Sequence, residues 1–266
     1  MDRRDFLASS LATAAAATAA AGGLAAQAAG SGSREYYELR RYHLLSGPQQ
    51  RLASAYFRDA LIPALNRLGI GPVGVFSVSI GAGGPSTYVL MPAAKAETLL
   101  TAEYRLVDDA VYQKAATAFL NAPMAQPGFV RLESAMLYAL EALPKLTPPP
   151  GGAAKETRMF ELRTYESSTD QDHRRKVEMV NVGELPIFKK SGFWPIFMGD
   201  TLIGSRQPNL TYMIGFPSLA ERDAYWKTFF GSDEWKALTG NPRYNFEALV
   251  ANVDNAILTP AAYSQV

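Results

Sequence analysis

Cysteine is absent from all 266 residues. That excludes disulfides, thiolate nucleophiles and every cysteine-held metal or iron–sulfur site. Histidine is almost as scarce: His43 and His173 are the whole supply, and neither sits in an Asp/Glu spacing that would build a metal site. The net charge is +1 and no long lysine or arginine run occurs, which argues against nucleic acid as a partner. No Gly-x-Ser-x-Gly elbow is present, so nothing supports a serine hydrolase. Gly81-Ala82-Gly83-Gly84 is glycine-rich, but it joins two strands, whereas a phosphate loop leads into a helix. Past the N-terminal segment no stretch approaches the ~18 uninterrupted apolar residues of a membrane span, so the mature chain is expected to have none. What is present is ordinary for a globular protein of one or two domains: 48% hydrophobic and 19% charged residues.

Residues 1–30 read as a leader. Arg3-Arg4 precede Phe6-Leu7, an alanine-rich run from Ala8 to Ala21 follows, and Ala26-Gln27-Ala28 supplies small residues suited to cleavage. This resembles a bacterial twin-arginine export signal and implies a periplasmic or secreted protein. Such export moves folded proteins, so a cofactor could be loaded beforehand. The sequence identifies none.

The chain then says one thing twice. Tyr37-Glu38-Leu39-Arg40-Arg41-Tyr42 returns 123 positions later as Phe160-Glu161-Leu162-Arg163-Thr164-Tyr165. The same offset pairs Arg51 with Arg174, Pro63 with Pro186, Gly69 with Gly192 and Pro72 with Pro195. A repeat of this size is a duplicated module rather than a solenoid unit. Each copy reads as strand, helix, strand, strand, helix, strand. In the first (35–141) these are strand 35–42, helix 49–68, strands 72–80 and 86–91, helical material over 93–120, and strand 129–140. In the second (158–260) they are strand 158–165, helix 171–191, strands 194–203 and 209–216, helical turns over 219–230 and 232–238, and strand 246–258. Residues 142–157 form a Pro/Gly linker expected to be an extended spacer. The pattern is α+β: two ferredoxin-like βαββαβ modules, each with helices on one sheet face. The bare faces are expected to meet within the chain as a pseudo-dimeric α/β barrel. Higher homo-oligomers stay open.

The Tyr/Phe-Glu-Leu-Arg-x-Tyr opening, the helix with an internal proline, the glycine stop and the proline-led strand resemble the NIPSNAP family. Trp226, Phe229 and Ser232-Asp233-Glu234-Trp235 resemble its second-helix region. That resemblance covers nearly all of 35–258 and implies the dimeric α/β barrel fold, shared by monooxygenases, isomerases, haem enzymes and members without known activity. The first module lacks counterparts of Trp226 and Trp235, so the halves have diverged and one of them could carry a site alone.

Period-two alternation places Glu38, Arg40 and Tyr42 on one face of the first strand, and Glu161, Arg163 and Tyr165 on the matching face of the fifth. With Leu39 and Leu162 taken as the helix-covered side, the Glu/Arg/Tyr face is expected to point into the barrel. There Arg40, Tyr42, Arg163 and Tyr165 could hold a carboxylate, enolate or carbonyl oxygen, or all six could simply pin the two sheets together. His43, at a strand end near the barrel mouth, and His173, at a helix start, are the candidate proton carriers, and His173 a candidate haem ligand. The acidic neighbours of His173 equally suit a solvated first turn. Pro63 and Pro186 are expected to interrupt and curve their helices.

Three readings stay open. A protein binding an apolar or carbonyl-bearing small molecule predicts an apolar cavity with one or two polar anchors. A monooxygenase- or isomerase-like enzyme predicts a histidine or carboxylate facing that cavity. A structural or interaction protein predicts a barrel filled by side chains.

Overall fold

The computed structural model describes residues 33–151 and 158–266; the leader and the end of the linker lie outside them. Residues 34–266 form one compact unit. The first module contains β1 (Tyr36–His43), α1 (Pro48–Tyr56), α2 (Ile62–Arg67), β2 (Gly74–Ile80), β3 (Ser86–Ala93), α3 (Ala96–Leu100), α4 (Ala102–Val107), α5 (Ala110–Leu120) and β4 (Arg131–Ala139). The second contains β5 (Met159–Glu166), α6 (Asp170–Met179), α7 (Leu185–Lys190), β6 (Trp194–Ile203), β7 (Asn209–Phe216), α8 (Leu219–Gly231), α9 (Asp233–Thr239), α10 (Phe246–Leu249) and β8 (Asn252–Pro260).

The strands close into one antiparallel barrel in the order β1-β3-β2-β8-β5-β7-β6-β4. Each module keeps the ferredoxin-like order, and the joints are β2 with β8 and β4 with β6. Both modules thereby lose their exposed edges, which would otherwise template aggregation. No helix among the described residues is long and apolar enough to cross a membrane.

Local chemistry explains most boundaries. Gly69 and Gly192 take positive φ (78° and 106°) just past α2 and α7, a backbone shape that glycine adopts without penalty. Thr169, Ser218 and Ser232 cap α6, α8 and α9 through their side-chain oxygens. The helical stretch expected over 93–120 divides into three; the last begins where Asp109 accepts from the Tyr112 amide at 2.9 Å. The strand expected from 246 begins only at Asn252, after α10.

Pro63 and Pro186 do not break their helices. A π-turn precedes each one, Phe57–Leu61 and Val180–Glu184, again 123 positions apart. The residue before each proline donates five positions back, Ile62 to Phe57 and Leu185 to Val180. The wide turn carries the proline past the carbonyl its ring would strike.

The expected alternation holds, but its direction is reversed. Tyr37, Leu39, Phe160 and Leu162 point into the barrel, where they pack with Phe76, Phe197, Met213 and Leu258. Tyr37 meets Phe197 at 5.3 Å and Phe76 meets Phe160 at 5.0 Å between ring centroids, so the two modules interdigitate along the axis. Eight strands enclose little more than the side chains that fill them. The Glu/Arg/Tyr face points outwards, beneath the helices. There its charges find partners supplied by those helices, which a narrow apolar lumen would not offer.

The start of the linker is tied down rather than a free spacer. Leu146 N donates to Glu35 Oε2 at 2.8 Å and Thr147 N to the Ile196 carbonyl at 2.8 Å. Residues 261–266 fold back along β2, with Gln265 N donating to the Val73 carbonyl at 2.9 Å, and they seat Val266 in the barrel core.

Candidate functional site

Two cavities compete for attention. One lies at the barrel mouth among Arg41, Tyr88, Glu133, Thr164, Arg206 and Asp254, and holds only about 110 Å³. The other, of about 570 Å³, lies between the sheet and the helices of the second module. The second falls in the ~300–1,000 Å³ range of small-molecule sites; two more open recesses, of about 440 Å³ beside Gly69–Pro72 and about 390 Å³ beside His173, do so too. The larger cavity thus lies outside the barrel lumen, between the sheet and its covering helices.

The larger cavity is built in layers. Arg163 and Tyr165 of β5 and Val253 of β8 come from the sheet, and Glu184 comes from the π-turn. Trp226, Phe229 and Phe230 of α8, with Trp235 of α9, form the aromatic wall; Thr239, Asn245 and Glu247 complete the lining. Phe230 stacks on Trp226 (5.2 Å, 15° between planes), and Phe229 leans on Trp235 at 4.8 Å. Such a wall offers flat apolar faces to a planar body.

Beneath it, Glu161 is fully buried and gathers four donor groups. Arg222 binds it bidentately (2.7 and 2.9 Å), Arg163 Nη1 donates at 2.5 Å, and Trp226 Nε1 and Asn255 Nδ2 each donate at 3.1 Å. Burial works to raise its pKa. The Arg222 hydrogen bonds, the Arg163 charge and the Asn255 and Trp226 hydrogen bonds outweigh it and hold the carboxyl at about 2. Glu161 is thus a fixed anion that aims Arg163. Arg163 Nε reaches Tyr165 Oη at 3.2 Å, and the guanidinium carbon lies 4.9 Å from the Trp226 ring centre. Tyr212 Oη donates to Tyr165 Oη at 2.8 Å, pinning that ring from below.

Behind the π-turn lies a second buried charge pair. Lys176 Nζ donates to Glu184 Oε2 at 2.5 Å, and their side chains are 1% and 3% exposed. Desolvation lowers the Lys176 pKa despite the opposing pull of Glu184.

The same layer of the first module is closed. Arg40 spends Nε and Nη2 on Glu38 (2.6 and 3.2 Å) and Nη1 on Glu103 of α4. Ser134 also donates across the sheet to Glu38 at 2.8 Å. Tyr56 stacks on Phe119 at 3.9 Å and bonds Tyr112 through its hydroxyl at 2.9 Å, while Tyr42 packs edge-on against Phe57 and Phe129. Lys176 and Glu184 fall 123 positions after Ala53 and Leu61, both fully buried and apolar.

The expected site residues therefore part company. Arg163 and Tyr165 line the cavity, with Glu161 beneath them. Glu38, Arg40 and Tyr42 form a closed cluster in the other module. His173 is not solvated: it is buried, and its Nε2 lies 2.7 Å from Asp200 Oδ1, tying α6 to β6. It borders a separate shallow recess with Asp170 and Asp200. His43 Nε2 lies 3.1 Å from Glu133 Oε2, close enough for an ion pair but off the hydrogen-bond line. Neither histidine lines the larger cavity. Sequence reasoning missed Lys176, Glu184 and Arg222. The available signal was the repeat itself, which sets Lys176 and Glu184 at positions where the first module is apolar.

Residues 160–265 match the NIPSNAP family model. No curated protein matches the chain. Among solved structures, the fold is similar to a candidate monooxygenase from Fusobacterium nucleatum subsp. nucleatum, with TM-score 0.58 and 8% identity over 86% of this chain and 93% of that one. It is also similar to a candidate monooxygenase from Lactobacillus acidophilus, with TM-score 0.55 and 8% identity over 85% and 94%. An anthrone oxidase-like protein superposes with TM-score 0.52 and 14% identity over 87% and 93%. At these identities the likeness is one of fold: an α/β barrel assembled from two halves.

Proposed function

We propose that the protein binds a small, largely apolar, carbonyl-bearing molecule in the sheet–helix cavity of its second module. The observation that carries this reading is the roughly 570 Å³ cavity, walled by Trp226, Phe229, Phe230 and Trp235 over the Arg163 guanidinium. The aromatic wall supplies contact area, and Arg163 supplies the directional contact to an oxygen. The first module, with Arg40 fully engaged and its aromatic rings packed together, completes the barrel.

Saturation-transfer NMR and calorimetric titration with 2-acetylnaphthalene test the reading. Saturable binding is expected, weakened roughly tenfold in Arg163→Met by loss of about 1.4 kcal/mol from one charge-assisted hydrogen bond. Thr239→Trp, which fills the cavity while leaving Arg163 in place, is expected to reduce binding as well. Absence of saturable binding to the wild type, or binding by both variants as tight as that of the wild type, would sink the reading and leave a scaffold role, which the filled barrel lumen favours. We extend the proposal to location: the leader at Arg3-Arg4 would deliver the folded protein to the periplasm.

A further inference from the structure

The fold does not need the Lys176–Glu184 pair. The first module runs through the same helix and the same π-turn with Ala53 and Leu61 in their places, both fully buried. Nor is such a pair an efficient stabiliser. Withdrawing two charges from water costs about as much as their attraction returns, so an apolar pair of similar volume is usually as good or better. Yet the second module holds the pair at 2.5 Å with both side chains almost fully buried. Lys176 occupies one carboxylate oxygen, Oε2, and Glu184 forms part of the cavity lining. Arg163 lines the same cavity from the sheet. A carboxylate and a guanidinium lining one cavity together with aromatic faces are the equipment for moving a proton next to a carbonyl.

We propose that Glu184 is a general base that removes a proton from the carbon beside the ligand's carbonyl, with Arg163 stabilising the resulting enolate oxygen. This rests on the binding reading above and narrows its ligand to an enolisable carbonyl compound with a planar apolar body. In the step, the α C–H bond breaks and its proton forms an O–H bond on Glu184. The C–H electron pair becomes the enolate C=C bond, and the carbonyl π pair moves to the oxygen facing Arg163. Return of a proton from Glu184 to the same carbon gives exchange, and return to a conjugated carbon gives an isomer. No oxidant or other co-reactant enters. The closed first module has Leu61, not a carboxylate, at the Glu184 position.

The test is deuterium incorporation from D₂O into the methyl group of 2-acetylnaphthalene, followed by proton NMR with the full-length protein, alongside binding measured by saturation transfer. Exchange above the buffer rate is expected for the wild type. Glu184→Gln is expected to lose at least about a hundredfold of it, the usual scale of general-base catalysis, while still binding the probe. Glu184→Asp, which keeps the carboxylate, is expected to retain partial exchange and guards against a loss caused by misfolding. Wild-type binding without exchange, or undiminished exchange in Glu184→Gln, overturns the base and leaves the binding reading intact. Absence of binding overturns both.

Discussion

Replacing Glu161 by glutamine removes the anion on which the second module's polar cluster converges. Depression of the carboxyl from its usual 4.5 to about 2 corresponds to roughly 3 kcal/mol of folded-state stability at neutral pH. Because the folded pKa lies below the unfolded one, that stability is fully present above pH 4.5, declines as pH falls, and is gone below about 2. Glutamine has no such pH dependence, and its amide group meets donors from Arg222, Arg163, Trp226 and Asn255 rather than acceptors. Urea unfolding followed by circular dichroism should show Glu161→Gln less stable than wild type by roughly 3 kcal/mol or more at pH 7. The gap should narrow by roughly 2 kcal/mol by pH 3, as the wild type alone loses its advantage. Exposed carboxylates such as Glu178 titrate in both proteins and cancel in the difference. A gap below about 1 kcal/mol at pH 7, or one unchanged between pH 7 and pH 3, would refute the assignment of Glu161 as a stabilising buried anion.

The buried pair behind the cavity makes an opposite forecast. Lys176→Met with Glu184→Leu, apolar as in the first module, should leave thermal stability unchanged or raise it by about 1–4 kcal/mol, whereas Glu184→Leu alone strands an ammonium and should cost about 3–5 kcal/mol. A double variant less stable than that single one would show the pair to be structural. For the leader, Arg3→Lys with Arg4→Lys should hold the protein in the cytoplasm on cell fractionation; a wild-type protein found there at full length would end the export reading.

Several features were legible before any fold was known, and for definite reasons. The near-alternating, β-favouring segments Tyr37–Tyr42 and Phe160–Tyr165 read as strands, and the return of one as the other at a fixed offset argued for two modules of the same element order. The helix-terminal glycines and the prolines at Pro63 and Pro186 marked the ends and irregularities of the covering helices. Even the diverged half was visible, in the tryptophans that one copy has and the other lacks. The cavity was not legible: Trp226, Trp235, Glu184 and Arg163 lie on four separate elements, and no local spacing brings them together.

The linear sequence thus determined two βαββαβ modules, their element order, and the need of two bare sheet faces for each other. Tertiary structure decided which face of each strand lies inside. Alternation sorts side chains into two sets but gives no sign when both faces are buried, one in a barrel and one under helices. The sign was set by where the charges could be satisfied. Arg222, Trp226 and Asn255 reach Glu161 only on the helix-covered side, while the lumen of an eight-stranded barrel has room for apolar side chains and little else.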